Sequence, residues 1–115
     1  MAEINSYRFG EIEIEGKKYE KDVVVFENEV FSPWIREEGH FLSLNDIKEF
    51  LSKNPEVVVF GTGSASIMRV PKEVIDFLEK KKIEVYILPT PKATEKYNQL
   101  EKEGKKVMGF FHLTC

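Results

Sequence analysis

The sequence predicts a single α/β domain in which an opening β-meander is followed by strand, helix, strand, helix and strand. Three observations carry that reading. The first third is built of short β-type segments. Three compact apolar runs follow, at residues 57–60, 85–88 and 107–113. Between them lie stretches with helical apolar spacing, bounded by proline and glycine.

The elements can be justified in order. Tyr7-Arg8-Phe9 leads into Glu11-Ile12-Glu13-Ile14-Glu15, whose strict alternation gives one wet and one buried face. Gly16 supplies a turn and Lys17 begins the return strand. A third strand is expected over residues 19–26, because Val23-Val24-Val25-Phe26 is apolar on both faces, as in a strand covered on both sides. Residues 27–41, with Pro33, Trp34, Arg36 and Gly39, read as irregular.

Three helix signals come next. Ser43 and Asp46 have capping-box spacing, and Ile47, Phe50 and Leu51 form an apolar stripe that must end near Asn54-Pro55. A second helix starts at Pro71, presents Val74, Phe77 and Leu78, and runs out in Lys80-Lys81-Lys82. A third is expected with Thr90 as N-cap, Pro91 in the first turn, Ala93, Tyr97 and Leu100 on one face and Gly104 as C-cap. The crossover between the runs at 57 and 85 should be parallel and right-handed.

Bulk properties narrow the function classes. With 115 residues, 42% hydrophobic and 32% charged, the chain has the balance of one folded domain rather than of a disordered segment. The net charge is −3 and the acids and bases are mixed, so no basic track for nucleic acid or an acidic membrane is present. The lysine triplet reads as the end of a helix. No apolar run approaches the ~20 residues of a membrane helix. The amino terminus lacks the charged and apolar regions of a signal peptide. Cys115 is the one cysteine, so no internal disulfide is expected and a cytoplasmic setting is. Abundant Lys and Glu beside a single glutamine, Gln99, lean towards a heat-adapted source.

The segment Val57-Val58-Val59-Phe60-Gly61-Thr62-Gly63-Ser64 runs a buried strand into a Gly-x-Gly loop, an arrangement that lets backbone amides approach a phosphate. A dinucleotide fingerprint is not completed: Ser66 stands where a third glycine belongs, the helix begins only near Pro71, and Pro89 rather than an acid follows the next strand. A P-loop lacks its Gly-Lys-Ser/Thr, and a nucleophile elbow at Ser64 lacks both flanking glycines. Two readings of loop 61–64 remain, a tight turn and a polar-ligand or anion site. In the second, the amino terminus of the third helix and the hydroxyls of Thr62, Ser64 and Thr90 would converge on the ligand, with Arg36 adding charge.

His40, His112 and Cys115 are the only soft ligands. The i, i+3 spacing of His112 and Cys115 puts them on opposite faces of an extended strand, so neither a metal site nor a Cys–His nucleophile pair is expected. No cofactor and no catalytic motif is identified. Trp34 and Arg36 read either as a core plug over a sheet edge or as part of a recognition surface.

Trp34-Ile35-Arg36 with Gly39-His40, Val59-Phe60-Gly61-Thr62-Gly63, Leu88-Pro89-Thr90 with Ala93, Tyr97-Asn98, and His112-Leu113-Thr114-Cys115 occur in an order that is familiar. From Ile4 to Cys115 the chain resembles a small domain-of-unknown-function family. Its relatives include a mitochondrial respiratory complex I assembly factor, an adipogenesis-associated cytosolic protein, and short archaeal and bacterial proteins. The resemblance implies a three-layer α/β fold with a central mixed sheet and no established enzymatic activity. The human relatives act through protein partners. A targeting extension like that of the mitochondrial relative is not expected, so the resemblance implies an assembly or adaptor role in general form only. The expected function is therefore binding of a protein partner, with a small anion as the alternative ligand and with neither nucleic acid nor membrane engaged. The candidate site residues are Trp34, Arg36, Gly61, Thr62, Gly63, Ser64, Thr90, Tyr97 and Asn98.

Overall fold

The structure, a computed structural model, describes residues 2–115. Strands β1 (Ile4–Arg8), β2 (Glu11–Ile14) and β3 (Lys17–Tyr19) form an antiparallel three-stranded sheet. The β2–β3 hairpin closes on Glu15 and Gly16, at φ 48° and 79°, the left-handed pair that a two-residue turn between twisted strands needs. Ile12 and Ile14 point inward from β2, as their alternation with glutamate demands.

A second sheet is mixed and five-stranded. It contains β4 (Val23–Phe26), β5 (Glu29–Phe31), β6 (Val57–Thr62), β7 (Glu84–Leu88) and β8 (Val107–His112), in the order β5-β4-β8-β6-β7. Strand β6 is parallel to both β7 and β8, and β4 is antiparallel to β8. Helices α1 (Lys72–Lys80) and α2 (Thr90–Lys102) complete the fold.

The continuous apolar runs of β6 and β8 serve two cores at once. Val57, Val59, Val107 and Phe111 join a core with Ile4, Ile12, Ile14 and the α2 residues Ala93, Tyr97 and Leu100. Val58, Phe60, Met108 and Phe110 join the opposite core with Trp34, Ile47, Leu51 and the α1 residues Val74 and Leu78. The result is the expected three layers, with the mixed sheet in the middle. No helix among the described residues is long and apolar enough to cross a membrane.

Four local expectations are corrected. The strand expected over 19–26 is shortened to β4, since Tyr19 ends the return strand β3 and residues 20–22 belong to no strand. The stretch read as irregular contains β5, a three-residue edge strand turned back on β4 through Glu27 at φ 53°. Pro71 and Pro89 are the N-cap residues of α1 and α2, so Thr90 is the first residue of its helix.

The fourth correction is the first helix, which is two 3-10 turns, Leu44–Asp46 and Phe50–Lys53, ending at Asn54 with φ 58°. In an α-helix the Phe50 amide would bond the Asp46 carbonyl. Trp34 Nε1 takes that carbonyl at 3.0 Å, and Phe50 N–H donates to Ile47 O instead. The Asp46 carboxylate is itself held by the amides of Ser43 and Glu37.

Gly109 of β8 lies beneath two aromatic rings. A Cβ there would come within 2.4 Å of the Phe111 ring and 3.0 Å of Tyr97. Gly109→Ala should destabilise the fold by about 1–3 kcal/mol, the usual cost of overpacking, as measured by denaturant unfolding.

Candidate functional site

Because β6 and β8 are parallel neighbours with Thr62 opposite His112, the segments that follow them leave the sheet at the same end. Their amides meet the chain itself. Ser64 N–H donates to Thr114 O at 2.6 Å, and Ile67 N–H donates to Cys115 O at 3.0 Å. Gly63 stands at φ 104°, and a Cβ on it would lie 2.4 Å from the Cys115 carbonyl carbon. Gly61 has ordinary strand geometry, but its Cβ would lie 2.9 Å from the Phe111 ring and 3.0 Å from Thr90 Oγ1. Both glycines are therefore explained by close approach of the chain to itself.

Thr90 is fully buried where β6, β8 and α2 converge. Its hydroxyl accepts from Gly63 N–H at 2.8 Å and donates to His112 O at 2.6 Å, while its amide donates to Gly63 O at 3.0 Å. Thr62 Oγ1 donates to Leu88 O at 3.1 Å. Pro91 has no amide proton. The donors expected to gather around an anion at the start of α2 are thus largely engaged within the chain, and Ser64 is the exposed hydroxyl of the group.

Beside this loop lies a partly buried charge cluster centred on Asp22, the residue before β4. Asp22 Oδ1 accepts from Leu113 N–H at 2.8 Å; Oδ2 lies 2.8 Å from His112 Nδ1 and 2.9 Å from Arg36 Nη2. Burial alone would raise the carboxyl's pKa. Hydrogen bonds from the His112 ring and the Leu113 amide, with the charge on Arg36, outweigh it and hold the group below the ordinary aspartate range. An ionised carboxylate only accepts, so His112 donates from Nδ1, and in the neutral ring its Nε2 carries the lone pair. That Nε2 is buried and has no hydrogen-bond partner among the described residues.

Trp34 and Arg36 are both interior. Trp34 is 4% exposed and packs 5.2 Å from the Phe110 ring, the core plug of the two readings. The Arg36 guanidinium stacks 4.6 Å over Trp34 and bonds Gly39 O as well as Asp22. Tyr97 and Asn98 are carried by α2 further from this end. Tyr97 is fully buried against Phe111, and burial, with Glu101 second, pushes its phenol well up. The Asn98 amide brackets the backbone of Ile4, accepting from its N–H at 3.0 Å and donating to its carbonyl at 2.8 Å.

Sequence spacing misplaced one group. His112 and Cys115 do not lie on opposite faces of a strand, because β8 ends at His112 and the tail turns across the Gly63 loop. His40 joins them: its Nε2 is 3.2 Å from Cys115 Sγ, and its ring centroid is 5.8 Å from that of His112. One ring nitrogen from each histidine and the sulfur lie within 4.8 Å of one another. Asp22 was missed altogether. Its only sequence signal is an acid set directly before a four-residue apolar strand.

Two stability predictions follow from this geometry. Thr90→Val leaves a buried N–H and a buried carbonyl unpaired and should cost about 1–3 kcal/mol, whereas Thr90→Ser should recover most of the loss in the same unfolding assay. Asp22→Asn should cost about 3 kcal/mol at neutral pH, because Arg36 loses its buried partner. The folded-state pKa of Asp22 lies below the unfolded one, so its contribution is complete above the unfolded value and lost as pH falls through the folded value. The stability gap between Asp22→Asn and the parent chain should therefore narrow in melts run below about pH 4.

Comparison with known proteins places this geometry among relatives. Residues 4–112 match the family described as "Protein of unknown function (DUF498/DUF598)". A conserved hypothetical protein of Pyrococcus horikoshii is 24% identical with a TM-score of 0.85, the match covering 98% of this chain and 99% of that one. A Bartonella henselae protein described as an outer membrane protein is 22% identical with a TM-score of 0.84, over 99% of this chain and 96% of that one. A Bordetella pertussis protein described as a Mth938-like domain is 18% identical with a TM-score of 0.77, over 97% and 85% respectively. At these identities the likeness is one of fold, and the fold is Mth938-like. Since the family match runs from the first residue of β1 to the last of β8, the chain belongs to the DUF498/DUF598 family of proteins of unknown function.

Proposed function

We propose that this domain is a binding or adaptor module that docks a protein partner at the carboxyl end of β6 and β8. The carrying observation is the distribution of exposed apolar side chains. Among the described residues five large hydrophobics are exposed, and four of them, Phe9, Ile35, Phe41 and Ile67, lie in the loops at this end. Each is tied to the tail or to its neighbours. Gly10 N–H donates to Leu113 O, Ile67 N–H to Cys115 O, and Arg69 N–H, opposite Phe41, to His40 O; Arg36, next to Ile35, reaches the His112 ring.

Apolar side chains gathered on loops that a rigid sheet end positions are the arrangement of a docking surface. The resemblance to a family with an assembly-factor member supports the same reading, and assembly of a larger complex is the form of the role we propose. The composition and the single cysteine favour the cytoplasm as its setting.

A photo-crosslinking residue placed at position 35 or 67 in the native host tests the reading, with exposed Glu79 on α1 as control position. Discrete adducts should form from 35 and 67 and not from 79. Carrying Phe9→Asp and Phe41→Asp together in the same chain should reduce them at least ~10-fold, with the melting behaviour kept. Equal adduct patterns from all three positions would overturn it.

A further inference from the structure

The geometry points to a mononuclear transition-metal site built from His40, His112 and Cys115, which binds a single zinc-type divalent ion. The ligand atoms come from two segments remote in sequence, the loop carrying His40 and the chain end carrying His112 and Cys115, yet they lie within 4.8 Å of one another. Tetrahedral zinc, with bonds of about 2.0–2.3 Å to nitrogen and sulfur, separates its ligand atoms by roughly 3.4–3.6 Å. The 3.2 Å between His40 Nε2 and Cys115 Sγ is already near that spacing. His40 is exposed and Cys115 partly so, and both can make the small rotations that close the set.

The buried member of the set carries the inference furthest. The His112 side chain is 7% exposed, and its Nε2 has no hydrogen-bond partner among the described residues. A buried imidazole nitrogen with its lone pair free is costly unless something binds it. Its other nitrogen is fixed by Asp22, the carboxylate–histidine pairing that orients an imidazole for a metal. The ring edge away from Asp22 faces the Gly63 loop, where a Cβ would lie 2.9 Å from His112 Cδ2 and 2.4 Å from the Cys115 carbonyl carbon. Gly63 thus keeps this approach clear.

The same loop sets the other two ligands in place. Ile67 N–H holds Cys115 through its carbonyl, and Arg69 N–H holds His40 through its carbonyl at 2.9 Å. Two imidazoles and one thiolate suit zinc and its neighbours in the first transition row, and they do not suit magnesium or calcium, which take oxygen. Binding deprotonates the Cys115 thiol, and its proton passes to the buffer. With His40 and Cys115 on the solvent side, a fourth position stays open to water.

Cobalt titration of the isolated full chain, reduced and freed of metal, tests the site. Co²⁺ should bind one to one with a thiolate-to-cobalt charge-transfer band in the near ultraviolet, and Zn²⁺ should displace it. Cys115→Ser should abolish the band. His40→Ala should weaken Zn²⁺ binding at least ~10-fold, the lower bound for losing even an outer partner of a metal ligand. Circular dichroism confirms that both variants fold, since neither removes a fully buried side chain. A folded parent chain that gives no charge-transfer band overturns the proposal. So does a band that survives Cys115→Ser, or a His40→Ala chain that binds Zn²⁺ as the parent does. The titration uses no partner, so its outcome is independent of the crosslinking result.

Discussion

The Asp22 carboxylate joins three segments that are remote in sequence: the entry to β4, the loop carrying Arg36, and the tail after β8. Its backbone takes part as well, since the Asp22 carbonyl accepts from Trp34 N–H at 2.8 Å. A buried ion pair is a poor source of net stability, because desolvation consumes most of the attraction. Its value here is directional. It fixes which His112 nitrogen bears the proton, presses the Arg36 guanidinium onto Trp34, and anchors the tail whose carbonyls complete the Gly63 loop.

That loop shows how a familiar pattern can serve another end. Paired glycines after a buried strand normally let backbone amides approach a phosphate. In this chain the approaching group is the protein's own tail, whose carbonyls receive the Ser64 and Ile67 amides. Thr90, well placed by sequence to cap a helix, spends its hydroxyl on linking the ends of β6 and β8.

The strands were legible wherever local pattern decides the outcome. Glu11 to Ile14 alternates because one face is wet, and Val57 to Phe60 is apolar throughout because two cores claim it. The two helices bounded by Pro71 and Pro89 were legible for the same local reason. The 3-10 segment was not, because the Trp34 indole that takes the Asp46 carbonyl approaches from outside the segment. The convergence of His40 with His112 and Cys115 was illegible too: the contact spans 75 positions, and a spacing rule for strands fails once the strand has ended. Of the candidate residues, Gly61, Thr62, Gly63, Ser64, Thr90 and Arg36 do gather at one end of the sheet, while Tyr97 and Asn98 tie α2 to the rest of the fold.

The strand order also dictates a sequence of events during synthesis. Strand β4 finds no neighbour in the sheet but β5 until β8 exists, because Val23 to Phe26 pair with Met108 to Phe111. Strand β6 likewise has only β7 on one side. Until residues 107–112 are available, β4 and β6 can pair only with β5 and β7, and the apolar edges that β8 covers have no partner in the sheet. Such edges invite pairing with other chains. Strand β8 works as a keystone, because its arrival covers both edges at once.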